Sequence, residues 1–362
     1  MYINNSHYGT RNGRILSTLF FIVLFVLVCG SYTTYNSPIY EANYYDGGDP
    51  SDEWLFLSFE KLGYSLSLDY KYFIFILYGI GLLLFRKTTT RLVGGYAWIV
   101  YLLFCIYPLG EVRSAVRNTL AMFLIIYAFP LLTSKRFVDI LKFIILLILA
   151  SGFHRVSIFY FLLLLIPFYQ STKSFRLRRW VSIMTYAAIA LAILICFSSS
   201  AINSLQPVLI RFTSESDLAR EGQSVYFENI AGYGFILFGL YQLAWIVILG
   251  YFKSRQEHTE TQSTISTFLD LVYYSDIALL VMIIAYKFDS NFFRIFMNLV
   301  PLNYISLVLV GRRLNKTGWK MTPLIWGALL FIIVFGIRQT AVFFDDNLIT
   351  MFTNNWLIHW HI

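Results

Sequence analysis

The sequence predicts an all-α, polytopic transmembrane bundle in one domain, 1–362, and three observations carry that expectation. The 362 residues are 58% hydrophobic and only 13% charged. Their apolar stretches recur at the length a bilayer demands, roughly 20 residues each. The segments between them are short, and their basic residues fall mainly on alternate loops. Lipid rather than water is the solvent that such a composition suits.

Hydropathy places about eleven spanning helices, within bounds of roughly ten to twelve. They lie near 15–34, 70–85, 91–108, 115–132, 136–153, 156–169, 180–198, 231–252, 265–285, 292–310 and 321–343. The first follows Arg11 and Arg14 as a signal peptide would. Its apolar run is longer than a signal core and lacks a small-residue cleavage site, so it is expected to remain as helix one. Helices one and two flank a polar segment, 35–69, with the turn-rich run YYDGGDPSDEW. There Gly47, Gly48 and Pro50 force turns, and Asp46, Asp49, Asp52 and Glu53 could bind a divalent metal, serve as a base or form a solvated loop. The following EWLFLSFEKLGYSL reads as an amphipathic helix lying along the membrane surface on Trp54, Phe56 and Phe59, with Glu53 and Glu60 on one face.

Helix four opens on RSAVRNTLA, where Arg113 and Arg117 are one helical turn apart and share a face. Their mutual repulsion is relieved by an anion between them, and a guanidinium suits phosphate. An internal ion pair with Glu111 or Asp289 is the alternative. Helices five and six meet at LASGFHRVSIFYF, which puts His154 and Arg155 between apolar runs. A histidine there is either a hydrogen-bonded packing residue or a general base titrating near neutral pH. A second outer segment, 199–230, precedes helix eight. Helix ten opens with Lys287, Asp289 and Arg294 nearby, and helix eleven carries Arg338 near its end. Arg113, Lys287 and Arg338 could equally snorkel into headgroups.

With the N-terminus inside, the inner loops collect Arg11, Arg14, Arg86, Lys87, Arg91, Lys135, Arg136, Lys173, Arg176, Arg178, Arg179, Lys253, Arg255, Arg312, Arg313, Lys316 and Lys320, most of the chain's 28 basic residues. The positive-inside rule then places segments 35–69 and 199–230 outside. The net charge of +8 is thus topological and implies no nucleic-acid partner. No GxxxxGK[ST] phosphate loop is present and the inner loops are short, so an ATP-driven machine is not expected. Cys29, Cys105 and Cys196 lie in apolar spans as packing residues. His359 and His361 are too few for a zinc site. The polar residues left over, Glu111, Arg113, Arg117, His154, Arg155, Lys287, Asp289, Arg294 and Arg338, all fall at the outer ends of helices. Charged groups at membrane depth mark partners or water-filled cavities.

Five segments in order carry a resemblance. They are YEANYY with DEWLFLSFEKLGYSL, AVRNTLA, LASGFHRVSIFYF, LAREGQSVY and FDSNFFRIFMNLVP. Together they resemble the EpsG-like branch of the Wzy-type polysaccharide polymerases. RFTSESDLAREG, from Arg211 to Gly222, also has a spacing found in some O-antigen polymerases. Where the family usually has an Asp-Tyr pair, YEANYY has Glu41. The resemblance implies an inner-membrane glycosyltransferase that moves a growing undecaprenyl-diphosphate-linked glycan onto a lipid-linked repeat unit at the extracytoplasmic face. It implies no soluble cofactor and no metal; the partners are the lipid-linked donor and acceptor, membrane lipids and, as a further candidate, a chain-length regulator. Under it His154, Arg117 and Arg294 are the catalytic candidates. Arg113, Arg155, Arg211, Arg220, Tyr226 and Glu53 are candidate substrate contacts. A lipid-linked oligosaccharide flippase and a metal-dependent lipid-phosphosugar glycosyltransferase using Asp46 and Asp49 remain the rivals.

Overall fold

All the apolar stretches fold as helix, because a backbone surrounded by lipid must satisfy its N–H and C=O groups within its own segment. The structure is a computed structural model and describes residues 10–31, 37–48, 53–134, 136–198, 201, 204, 234–256, 264–288, 290–317, 322–342, 351 and 355–358. Among these, seven helical runs are long and apolar enough to cross a membrane. They are Arg11–Gly30, Tyr70–Ile106, Val116–Ser134, Phe175–Cys196, Gly234–Ser254, Ile265–Lys287 and Arg294–Gly311, with Arg155–Ser171 and Pro323–Gln339 as shorter apolar helices. Helix α1 is Arg11–Gly30, α2 Ser37–Tyr45, α3 Trp54–Ser65, α4 Tyr70–Val93, α5 Ala97–Ile106, α6 Leu109–Ser114, α7 Val116–Ala128 and α8 Phe137–Phe153.

The Tyr70–Ile106 run covers the expected helices two and three, folded back on themselves. α4 ends at Gly94, whose φ of +61° lies in the left-handed region that glycine enters without steric cost. One 3-10 turn, Gly94–Tyr96, then starts α5. The return brings Phe85 of α4 against Tyr101 and Phe104 of α5, with ring centroids 5.7 and 5.2 Å apart. α1 packs on this hairpin at the turn: the Ser17 hydroxyl donates to the Gly95 carbonyl and accepts from the Trp98 N–H, both at 3.1 Å.

After α5 the chain breaks twice within ten residues, at Tyr107 and again at Ala115, making the short helix α6 between α5 and α7. α6 is tied down by the Val112 carbonyl, which accepts from the Tyr78 hydroxyl at 3.0 Å and the Thr119 hydroxyl at 2.7 Å. Across the bundle, α7 is joined to the opening of helix ten by Asn118 and Asn298. These buried amides donate to each other, at 3.1 and 2.9 Å. Such reciprocal pairing leaves no amide group of the contact unsatisfied, the condition for burying one in an apolar bundle.

Two expectations need correcting. The sixth helix is not uniform: Arg155–Leu164 is a ten-residue 3-10 segment, followed by helix α9, Leu165–Ser171. Runs of that geometry rarely exceed four residues and often mark functional sites. And of the three aromatic residues expected to line the outward face of α3, Trp54 is exposed while Phe56 and Phe59 pack on protein. Phe56 is fully buried, Glu60 likewise, and Phe59 stacks on Phe153 at 5.7 Å. The face shared by Glu53 and Glu60 meets protein, while Leu62, Tyr64 and Leu66 face outward.

A candidate site at three helix breaks

Helix breaks expose backbone groups and redirect side chains, and the polar residues singled out above gather at three of them. The first is the start of α3. Glu53 occupies its N-cap position but makes no capping bond with its side chain. The carboxylate reaches across instead: Arg117 Nη1 donates to Oε2 at 2.8 Å, and His154 Nδ1 lies 3.2 Å from Oε1.

The second break is His154 itself. It ends α8 in an extended conformation, φ −153° and ψ 113°, which frees the N–H groups that open the 3-10 segment. One of them, from Arg155, donates to Glu53 Oε1 at 3.1 Å. An anion at the start of a helical segment meets both these donors and the positive end of the backbone dipoles. Glu53 therefore binds α7, α8 and the 3-10 segment together through one carboxylate. Residues 64, 101 and 102 positions away in sequence become its neighbours.

Burial opposes ionisation of Glu53, but the His154 hydrogen bond, the Arg117 charge and the Arg155 N–H outweigh it and hold the carboxyl at about 2. It is a carboxylate at any physiological pH. For His154, burial pushes the imidazole below its usual value, while Glu53 pulls it back up and the Arg117 and Arg294 charges push it down. The ring is neutral at neutral pH, the state a base needs. Since Glu53 can only accept, His154 Nδ1 carries the hydrogen and Nε2 is the lone-pair nitrogen.

The third break supplies Arg294, at the start of helix Arg294–Met297. Its Nε lies 3.8 Å from Glu111 Oε2, an attraction of charges without a hydrogen bond, and this buried nitrogen has no hydrogen-bond partner among the described residues. Burial raises the Glu111 carboxyl above its usual range, and Arg294 works against that rise. The Tyr160 hydroxyl, from the 3-10 segment, donates to the Ile295 carbonyl and ties Arg294's helix to the segment that begins beside His154.

The side chains of Glu53, Arg117, His154 and Arg294 and the Arg155 N–H are thus brought into one cluster. Its side chains are partly open, Arg117 being 27% and His154 20% exposed. Arg117 does pair with an acid, and among the described residues that acid is Glu53. Lys287 stands elsewhere, over the Phe235 ring at 4.9 Å, and Arg338 is exposed. Asp46 is exposed in a turn after α2. The Arg113 side chain, Asp49, Asp52, Arg211, Arg220, Tyr226, Asp289, His359 and His361 lie outside the described residues. Among the described residues no group of three or more His, Cys, Asp or Glu is arranged to hold a metal.

Sequence reasoning missed Tyr40. Its ring, on α2, lies 5.6 Å from the Arg117 guanidinium carbon and edge-on to Phe56, a cation–π contact that caps Arg117 from the segment between α1 and α4. The aromatic run YEANYY carries the signal for it beside Glu41.

Gly152 sets how closely α3 approaches. A Cβ on it would meet Trp54 at 2.7 Å and Leu55 at 2.8 Å, residues adjoining Glu53. Gly152→Val is therefore expected to push α3 outward and withdraw Glu53 from His154. Overpacking of this kind costs about 1–3 kcal/mol, so the variant should remain inserted but melt at a lower temperature, as read by a detergent melting curve.

The family model for the EpsG family matches residues 7–351, nearly the whole chain. No curated protein and no solved structure matches it.

Proposed function

From this chain's membership of the EpsG family, which makes it a multi-pass membrane protein of polysaccharide polymerisation, we propose that it is a glycosyltransferase acting on lipid-diphosphate-linked glycans at the extracytoplasmic face of the plasma membrane. The donor is a growing glycan on undecaprenyl diphosphate, and the acceptor is the sugar end of a lipid-linked repeat unit. The observation that supports this most is the joint placement of two arginines and a neutral histidine in one partly open cluster.

Each has a role in the transfer. The acceptor hydroxyl oxygen attacks the anomeric carbon of the donor, and the bond from that carbon to the diphosphate breaks with its electron pair leaving on the diphosphate. Arg117 and Arg294 receive that charge, stabilisation that needs no metal when the donors are already in place. His154 Nε2 takes the hydroxyl proton. Arg155 lies beside the base and contacts phosphate or orients the acceptor. Arg113, Arg211, Arg220 and Tyr226 remain candidate contacts for sugar or phosphate. The positive-inside pattern supports an inner N-terminus and an outer site.

Glycan profiling of a deletion strain tests the activity. A polymerase defect leaves single repeat units on the surface; a flippase defect leaves none there, and that outcome would replace this reading. A metal-dependent transferase is separated by chelation: polymerisation of extracted lipid-linked repeat units should continue in excess EDTA, and its loss, restored by a divalent cation, would favour that rival.

A further inference from the structure

A histidine that serves as base must present one ring nitrogen bare, and nothing in its own side chain decides which. His154 meets Glu53 through Nδ1 at 3.2 Å, and the same carboxylate binds Arg117 at 2.8 Å and the Arg155 N–H at 3.1 Å. We propose that Glu53 is the positioning residue of the transfer reaction, holding His154 with Nδ1 protonated and Nε2 facing the acceptor, and stabilising the imidazolium that forms when the proton arrives.

The inference rests on the polymerase reading and adds to it a role for the outer segment. Glu53 does not touch substrate in this scheme; it acts through His154. Its three fixed contacts come from α7, α8 and the 3-10 segment, so its two oxygens are committed to orientation. The carboxylate–histidine pair is a recurring solution wherever an imidazole must cycle between neutral and charged forms in place. The charged groups around His154 are Glu53 from α3, Arg117 from α7, Arg294 from helix ten and the adjacent Arg155. Glu53 is the member of that set that favours imidazolium. The α2–α3 segment is therefore part of the machinery rather than a cover.

The test is the pH dependence of polymerisation by full-length protein in detergent, with lipid-linked repeat units extracted from a polymerase-deficient strain. A base active in its neutral form gives a rate that rises with pH through the imidazole's pKa. Glu53→Gln removes the charge that raises this pKa. Its acid limb should move to lower pH by about one unit or more, and its plateau should fall on the order of 10²-fold. A lowered plateau with an unmoved limb would make Glu53 a structural contact only, and a near-normal rate would remove it altogether; both overturn the inference. His154→Ala run in parallel separates the two levels, since an active His154→Ala protein would sink the polymerase mechanism itself. Should Glu53→Gln fail to insert, ¹⁵N-histidine spectra of the wild-type protein, with His154 assigned by its loss in His154→Ala, decide the matter. A protonated Nδ1 and bare Nε2 are expected, and the opposite tautomer overturns the proposal.

Discussion

Alanine in place of either Arg117 or Arg294 is expected to lower polymer formation on the order of 10²- to 10³-fold, the usual cost of removing one preorganised donor from developing charge. The two guanidinium groups come from different helix breaks and are held by different acids, Arg117 by Glu53 at 2.8 Å and Arg294 by Glu111 at 3.8 Å. Each acid fixes its arginine before any donor arrives, so little reorganisation is left for the reaction itself. Arg294 is the more loosely held, and its Glu111 contact is long enough for a phosphate oxygen to supplant. Lysine at either position should restore activity only in part, because an ammonium lacks the planar fork that grips two oxygens. Glycan gels from cells carrying each variant, beside a size-exclusion profile of the solubilised protein, read the effect. Full-length polymer from Arg294→Ala would remove it from the diphosphate.

His154→Ala should lose about 10²- to 10⁴-fold, the range supplied by a positioned general base. The protein should still insert, since the ring ends a helix and its backbone bonds, His154 N–H to the Ala150 carbonyl and Ser157 N–H to the His154 carbonyl, survive the change. Its surface glycan should be single repeats. The loss should shrink at high pH, where more of the acceptor hydroxyl ionises without help, and an alkaline series of initial rates checks that dependence.

The helices were legible because lipid leaves the backbone few options. Runs of roughly 20 apolar residues must become helices, and all the expected runs did, from Arg11–Gly30 to Pro323–Val342. Which side of a helix meets protein was not legible. Lipid tails are as apolar as leucine, so hydrophobicity does not tell an exposed Leu62 from a protein-facing Phe56, and the pattern of α3 does not show which of its aromatic residues are buried. His154, Arg117 and Arg294 stood out by the cost of placing polar groups in apolar runs. Their partners did not, because Glu53 to His154 spans 101 residues and no local periodicity reports a pairing of that range. The 3-10 geometry of Arg155–Leu164 left no mark in the composition either.

That the base and the arginine pair act on one substrate is the central claim, and an electron cryo-microscopy structure of the full-length protein with undecaprenyl diphosphate bound tests it most directly. The expected density places the diphosphate in contact with both Arg117 and Arg294, with Glu53 still bound to His154 Nδ1 and Nε2 facing the position of the anomeric carbon. A diphosphate seated away from these arginines, or one walled off from His154 by packed side chains, would contradict it.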